Sequence, residues 1–393
     1  MSALVTSGNL RSTLAVTRSL GRRGVAVTVA DERRRSLAGA SRYCRAAIRV
    51  PSPVQNGAAF VRAIHREVEQ GGHRVVIPMD DITLSLLTEA RARFDGLAAL
   101  PFPGPEIVQI AHDKGALAAV AGEHGVPAPR TVVVREPADL ATAARHVGFP
   151  AVVKARVSRL AVDGHWRSAG NTWYVHTSAE LEAACRAVAA TIPDPIVQEY
   201  VPGEGRGIFV LMNRGRLRAA FAHRRLREKP PSGGVSVLSE SVPLDPQLLE
   251  HSERILEALK WHGVAMVEFK RDARDGVSKL LEINGRFWGS LQLAVDAGVD
   301  FPALLYQLAV EGDVEPVLDY RAGVRLRWGL GNVDWLLLRS RETGVRRSLG
   351  ELFQSTGPRA RGEILRRDDP APAAVELSQY LGVAVCGALG RGA

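Results

Sequence analysis

The opening third of the chain alternates short apolar runs with longer amphipathic stretches. Strand-like runs fall at 3–6, 25–30, 47–50 and 75–78, and helix-period segments at about 9–22, 56–70 and 81–93. This rhythm predicts βαβ units and a parallel sheet with ligand-facing loops at the strand C-ends. Leu100-Pro101-Phe102-Pro103-Gly104-Pro105 punctuates the pattern and marks a boundary. Beyond it the pattern predicts helices at about 113–123, 137–146 and 178–190, with strands at 131–134, 151–155 and 196–201. The last strand exits through Pro202-Gly203-Glu204-Gly205 into a β-rich stretch ending in strands 263–270 and 277–283. Helices near 290–297 and 302–311 close that portion, and 315–393 carries apolar patches but no chemical motif. No internal repeat is visible.

The two late strands flank the charged run 271–276, which ends in an Asp-Gly turn signal. A hairpin centred near Asp275 puts Glu268 directly opposite Glu282, with Asn284 on the same face and Arg286 just beyond. Facing carboxylates destabilise a sheet unless a cation neutralises them. Mg²⁺ does so with one or two carboxylates plus phosphate oxygens, so Glu268, Glu282 and Asn284 predict a metal-assisted nucleoside triphosphate site.

Composition narrows the classes. The 393 residues are 46% hydrophobic, enough for several cores, and no run of eighteen apolar residues predicts a membrane span. The N-terminus lacks a basic leader pattern, and three cysteines without CxxC spacing read as reduced thiols of a cytoplasmic protein. The net charge of +9 comes from arginines dispersed among acids, which argues against a nucleic-acid-binding module. Only six of the 51 basic residues are lysine, so retained lysines mark places where arginine does not substitute.

Lys154 ends an apolar strand and calls for an anionic partner, or else snorkels to solvent. Lys114 opens a helix, where the macrodipole disfavours a cation; the alternative is Asp113 as cap with Lys114 solvated. Met79-Asp80-Asp81 is either a substrate-contacting loop or a helix cap. The Gly-, Ser- and Arg-rich stretch 156–171 reads as a phosphate-closing loop with Ser158 and Ser168 as donors, or as a plain surface loop. The extended backbone at Glu199-Tyr200-Val201 can meet an adenine edge and Glu204 a ribose, against an ordinary strand exit. Residues 224–236 read as a basic, then Pro/Gly-rich loop attracting a carboxylate or acyl phosphate, or as a solvated hairpin tip.

As an ordered set, Lys114, Lys154, Glu199-Tyr200-Val201, Glu268 and Glu282-Ile283-Asn284-Gly285-Arg286 resemble the ATP-grasp superfamily. The surrounding text, through Pro230-Pro231-Ser232-Gly233-Gly234 to Phe287-Trp288-Gly289-Ser290, resembles the short carbamoyl-phosphate-synthase-like members over about residues 1–330. The resemblance implies an α/β chain with a Rossmann-like preATP-grasp domain (1–108) and a small lid subdomain (109–195). A nucleotide- and metal-binding subdomain (196–314) and a C-terminal extension (315–393) would follow. It implies ATP and Mg²⁺ or Mn²⁺ as cofactors. Lys114 and Lys154 would hold the phosphates, Glu199, Tyr200 and Val201 the adenine, Glu204 the ribose, and Glu268, Glu282 and Asn284 the metal. Arg286 would meet the transferred phosphate, with Arg225 and Lys154 beside it in the chemistry.

The implied reaction is ligation of a small-molecule carboxylate to an amine through an acyl phosphate. The rivals are phosphorylation or carboxylation of a small acid, and a non-catalytic nucleotide-binding regulator. A single such unit without a recognisable glutaminase segment argues against carbamoyl phosphate synthesis in the multi-unit manner. Arg11, Asp80, Asp81, Arg225, Arg325 and Arg327 are candidates for the acceptor pocket. No nucleic-acid or membrane partner is expected, and a homodimer is the default assembly.

Overall fold

The computed structural model describes residues 1–162, 165–231, 234–356 and 360–389. Strands Ser2–Val5 (β1), Ala26–Asp31 (β2), Cys44–Arg49 (β3) and Val75–Ile77 (β4) form a parallel sheet in the order β3-β2-β1-β4. Helices Arg11–Arg22 (α1), Gly57–Gly71 (α2) and Asp81–Glu89 (α3) connect or follow them. Strands β1 and β4 are apolar on both faces, as helices on either side require. The predicted helix over 81–93 divides, because α3 stops at Glu89 and a 3-10 turn takes Arg91–Phe94.

Helices Pro105–His112 (α4) and Lys114–Glu123 (α5) bridge to a second, antiparallel sheet in the order β5-β10-β6-β9. Its strands are Thr131–Val133 (β5), Ala151–Lys154 (β6), Trp173–Val175 (β9) and Ile196–Glu199 (β10). Pro137–Val147 (α6) and Ser178–Ala189 (α7) cover one side of it. The stretch predicted as an irregular loop after Lys154 instead holds a hairpin, Arg159–Val162 (β7) with His165–Ser168 (β8).

The third sheet is the largest, in the order β15-β14-β11-β12-β13-β16-β17. Its strands are Gly203–Asn213 (β11), Arg216–Lys229 (β12), Val235–Ser241 (β13), Gly263–Asp272 (β14), Ser278–Asn284 (β15), Arg325–Arg327 (β16) and Arg361–Gly362 (β17). One face packs on Pro246–Ala258 (α8) together with α4 and α5. The other packs on Leu291–Ala297 (α9), Phe301–Glu311 (α10) and α1, fusing this sheet with the first. Residues 224–229, expected in a loop, extend β12 and pair with β13; Ser232 and Gly233 lie outside the described residues. Helices Gly329–Thr343 (α11), Val345–Thr356 (α12) and Ala371–Leu389 (α13) complete the C-terminal part. Buried Arg18 reaches it from α1, donating to Asp369 at 2.8 Å and to the carbonyls of Glu363 and Ile364. Among the described residues no single helix is long and apolar enough to cross a membrane.

Gly263 opens β14 where the linker backbone crosses it. Its φ is +96°, and a Cβ there would fall 2.2 Å from the Pro101 carbonyl oxygen. Gly263→Ala is expected to cost about 2–3 kcal/mol through strain, read as a lowered urea midpoint at unchanged slope.

Candidate active site

The cleft between the second and third sheets is floored by the β14–β15 hairpin. Glu268 pairs directly with Glu282, and Met266 with Asn284. The route to that pairing differs from simple symmetry about Asp275. Nearer the turn Phe269 faces Leu280 and Lys270 faces Lys279, so a bulge inserts one residue into β15 before Glu282. Without that residue Glu282 would oppose Val267 and turn toward the apolar core; the bulge swings it into the cleft. Strand alternation then lines the cleft with Glu268, Lys270 and Asp272 from β14 and with Lys279, Glu282 and Asn284 from β15.

At one end the two acids meet a ring of cations. Arg225 donates to Glu268 at 3.1 Å and to Glu228 at 2.9 Å. Lys114 Nζ stands 4.0 Å from Glu282 and donates to Ser158 Oγ at 3.0 Å. Burial, then repulsion from Glu282, raises the Glu268 carboxyl above its ordinary range, and Arg225 only partly offsets this. Lys154 reaches in from β6, and its ammonium makes no hydrogen bond or ion pair among the described residues. Burial and the nearby Lys114 and Lys270 push its ammonium down to about 8, against the pull of Glu282. These are cations and acids under mutual stress, the condition an anionic ligand with a metal would relieve.

Arg286 is held from two sides. It donates to Asn284 Oδ1 at 3.2 Å and pairs with Asp81 at 3.2 Å, while Asn284 Nδ2 donates to Glu282 at 3.0 Å. The neighbouring Asp80 is spent as a helix cap: it accepts from the Thr83 amide in a capping box and from Ser7 Oγ. The Asx-cap alternative therefore describes Asp80, and only Asp81 faces the cleft. Phe287 and Trp288 anchor the segment after Arg286, with Trp288 tilted at 38° against Phe209, 4.3 Å between centroids. Ser290 Oγ meets His223 Nε2 at 2.8 Å, and burial, reinforced by Arg225, holds that imidazole neutral with its pKa down to about 3.

At the other end Glu199 is enclosed. Burial alone would raise its carboxyl, but hydrogen bonds from Lys279 at 3.1 Å and Arg274 at 2.7 Å outweigh it and hold the group at about 2. Asp272 shares both partners and lies well below the usual carboxylate range. The Glu199 side chain and its amide, which donates to the Arg130 carbonyl at 2.8 Å, are thus already engaged. The Val201 amide has no backbone partner among the described residues, and Tyr200 stacks edge-on to Tyr174 at 5.8 Å beneath Lys270. Glu204 is not gathered in. It pairs with Arg271, so alternation turns it to the face of β11 opposite Glu268. Gly203, Gly205 and Gly207 occupy the cleft face instead, opposite Asp272, Lys270 and Glu268, and nothing lies within 4 Å of a Cβ built on Gly205.

Sequence reasoning gave no role to Lys270, Lys279 or His112. The lysine scarcity was the signal for the first two, since Lys114, Lys154, Lys270 and Lys279 all line the cleft. His112 borders a cavity of about 30 Å³ with Asp81, Lys114 and Glu282, and burial lowers its pKa. Arg325 pairs with Glu240 at 2.7 Å, and exposed Arg327 lies beside it on β16, so neither enters this cleft. Among the described residues no three His, Cys, Asp or Glu side chains converge as a metal cage. A carboxylate pair with an amide is nonetheless the donor set that Mg²⁺ uses when phosphates supply the remaining oxygens.

A profile of the family described as "ATP-grasp in the biosynthetic pathway with Ter operon" matches residues 191–331, the span holding β11 through β16. No curated protein matches the sequence. Among solved structures, N5-carboxyaminoimidazole synthetase from Staphylococcus aureus superposes with a TM-score of 0.63 at 15% identity, covering 87% of this chain and 85% of that one. Biotin carboxylase from Campylobacter jejuni gives 0.64 at 16% identity, covering 82% and 74%. L-amino acid ligase from Bacillus licheniformis gives 0.60 at 17% identity, covering 80% and 77%.

Proposed function

We propose that this chain, which matches an ATP-grasp profile over residues 191–331 and shares its fold with N5-carboxyaminoimidazole synthetase and biotin carboxylase, is an ATP- and Mg²⁺-dependent ligase joining a small carboxylate to an amine. The observation that carries this reading is the facing pair Glu268 and Glu282, set under Lys114, Lys154, Arg225 and Arg286. The raised Glu268 carboxyl fits a site built for a cation, and Glu268, Glu282 and Asn284 would hold Mg²⁺. The metal would supply neutralisation between these carboxylates and the phosphate oxygens.

Lys114 and Lys154 hold the phosphates, the Val201 backbone meets the adenine edge, and the glycine face of β11 leaves room for the nucleoside. The substrate carboxylate attacks the γ-phosphorus, ADP leaves, and an acyl phosphate forms. The amine nitrogen then attacks the acyl carbon, loses a proton and expels phosphate, leaving the amide. Arg286, positioned by Asp81, and Arg225, positioned by Glu228, face the charge that develops on the phosphoryl oxygens. The chain's work is positioning and charge complementarity, since phosphoryl transfer asks little covalent help.

The direct test is an ADP-release screen with amino acids and other small acids and amines offered singly and in pairs. A ligase responds to a particular pair; background release across every pair would sink the reading. A pH dependence follows from Lys154. Its free ammonium deprotonates near pH 8 and the bound phosphates favour the charged form, so ATP binding takes up a proton above that pH. Affinity for MgATP is expected to weaken by about tenfold between pH 7 and pH 9, measured by calorimetry in two buffers of different ionisation enthalpy.

A further inference from the structure

A second cavity, of about 740 Å³, opens beside the cleft where the C-terminal part meets the first sheet. One side is the Asn9–Arg11 turn at the C-end of β1, and the roof is α11 and α13. Leu330, Asp334, Leu337, Leu338 and Arg341 recur at helical spacing, so a single stripe of α11 faces the cavity. Glu376, Gln379 and Tyr380 do the same on α13. The opposite stripe of α11, Gly331, Asn332 and Trp335, is buried against the large sheet. The cavity-facing stripe is left open, with Leu337 57% exposed.

The lining combines an apolar body with an excess of positive charge. Trp328, Tyr380 and the leucines form the walls. Four cations, Arg11, Arg33, Lys229 and Arg341, face two acids, Asp334 and Glu376. Lys229 is paired with Asp334, and Glu376 is occupied by the Trp328 indole, which donates to it at 2.5 Å. Arg11 stacks over Trp328 at 4.1 Å and pairs with Glu363 behind the wall.

The cavity also adjoins the phosphate end of the cleft. Arg11 Nη2 lies 3.3 Å from where a Cβ on Gly289 would sit, three residues after Arg286. Ser7 of the same turn bonds Asp80, whose neighbour Asp81 holds Arg286. Adjacent parallel strands β1 and β4 thus carry the Asn9–Arg11 turn and the Asp80-Asp81 turn at the same end of the first sheet.

We propose that this cavity seats the carboxylic acid substrate and that the acid carries a large apolar or aromatic body. The inference rests on the ligase reading above and specifies its substrate class. The body lies along the α11 stripe, and the carboxylate is drawn by the cationic excess toward Arg11 and the cleft. The volume suits a ligand the size of an aryl or medium-chain acid.

Calorimetry of the full chain with straight-chain acids from acetate to octanoate tests it. Affinity is expected to rise about fourfold per methylene, the equivalent of about 0.8 kcal/mol for each buried CH₂. Leu337→Glu should flatten that series. Val333→Glu, on the same helix, 44% exposed and outside this cavity, should leave the series as in wild type. A flat series in wild type, or a slope that survives Leu337→Glu, overturns the proposal. MgATP titrated into the same wild-type sample separates the two readings. Retained MgATP binding with a flat series removes only the acid site, whereas loss of MgATP binding removes the nucleotide reading beneath it.

Discussion

Replacing Glu282 by glutamine is expected to lower ADP formation by about 10²–10³-fold or more while the protein stays folded. The side chain is half-buried at the cleft surface, and among the described residues its only hydrogen bond is accepted from Asn284, which a glutamine oxygen also accepts. What the substitution removes is charge. Glu282 is the partner that, after burial, pushes Glu268 up, so the pair would fall from two carboxylates to one and the demand for a divalent cation would drop with it. Two measurements check this apart from turnover. Mn²⁺ titrated into the protein with ADP present should bind at least tenfold more weakly in the variant, about 1.4 kcal/mol. Thermal unfolding without ligand should match wild type. Turnover within a few fold of wild type would remove Glu282 from the metal site, whatever the rest of the cleft does.

That prediction was legible in the sequence because a strand hairpin has few degrees of freedom. Two apolar runs, an Asp-Gly signal and the period of two pointed to Glu268 opposite Glu282, a pairing the hairpin reaches by way of its bulge. The bulge that delivers the pairing was not legible, since an inserted residue leaves no trace in an alternation already broken by Leu280 and Leu281. The parallel first sheet was readable for the same reason as the hairpin, from periodicity within each segment.

Partner choice across the molecule was harder to read. Nothing local shows that Arg274 and Lys279 would claim the Glu199 side chain, or that Asp80 would cap a helix while Asp81 reached Arg286. Glu204 fell on the far face because the register of β11 is set by β14, about 60 residues later in the chain, and not by its own neighbours. The C-terminal extension was opaque because its residues become informative only when α11 and α13 are folded against the turn carrying Arg11.

Lys154→Met carries the second large effect, and here binding and stability should move in opposite directions. A charged hydrogen bond to phosphate contributes about 1.5–3 kcal/mol, so MgATP affinity should weaken by about 10–100-fold. In the ligand-free protein the lysine has no counter-ion of its own among the described residues, and its folded pKa of about 8 lies below the ordinary value of 10.5. A cation whose pKa is depressed by folding is charged at a cost below about pH 8. That cost fades between pH 8 and 10.5, where the unfolded chain also loses its proton. Methionine fills the same stem volume without the charge, so the variant should melt at a higher temperature than wild type at pH 7. The difference should shrink as the pH is raised toward 10.5. Unchanged affinity for MgATP would take Lys154 off the phosphates. A lower melting temperature at pH 7 would show instead that the lysine is held by a structural partner and not kept in readiness for an anion.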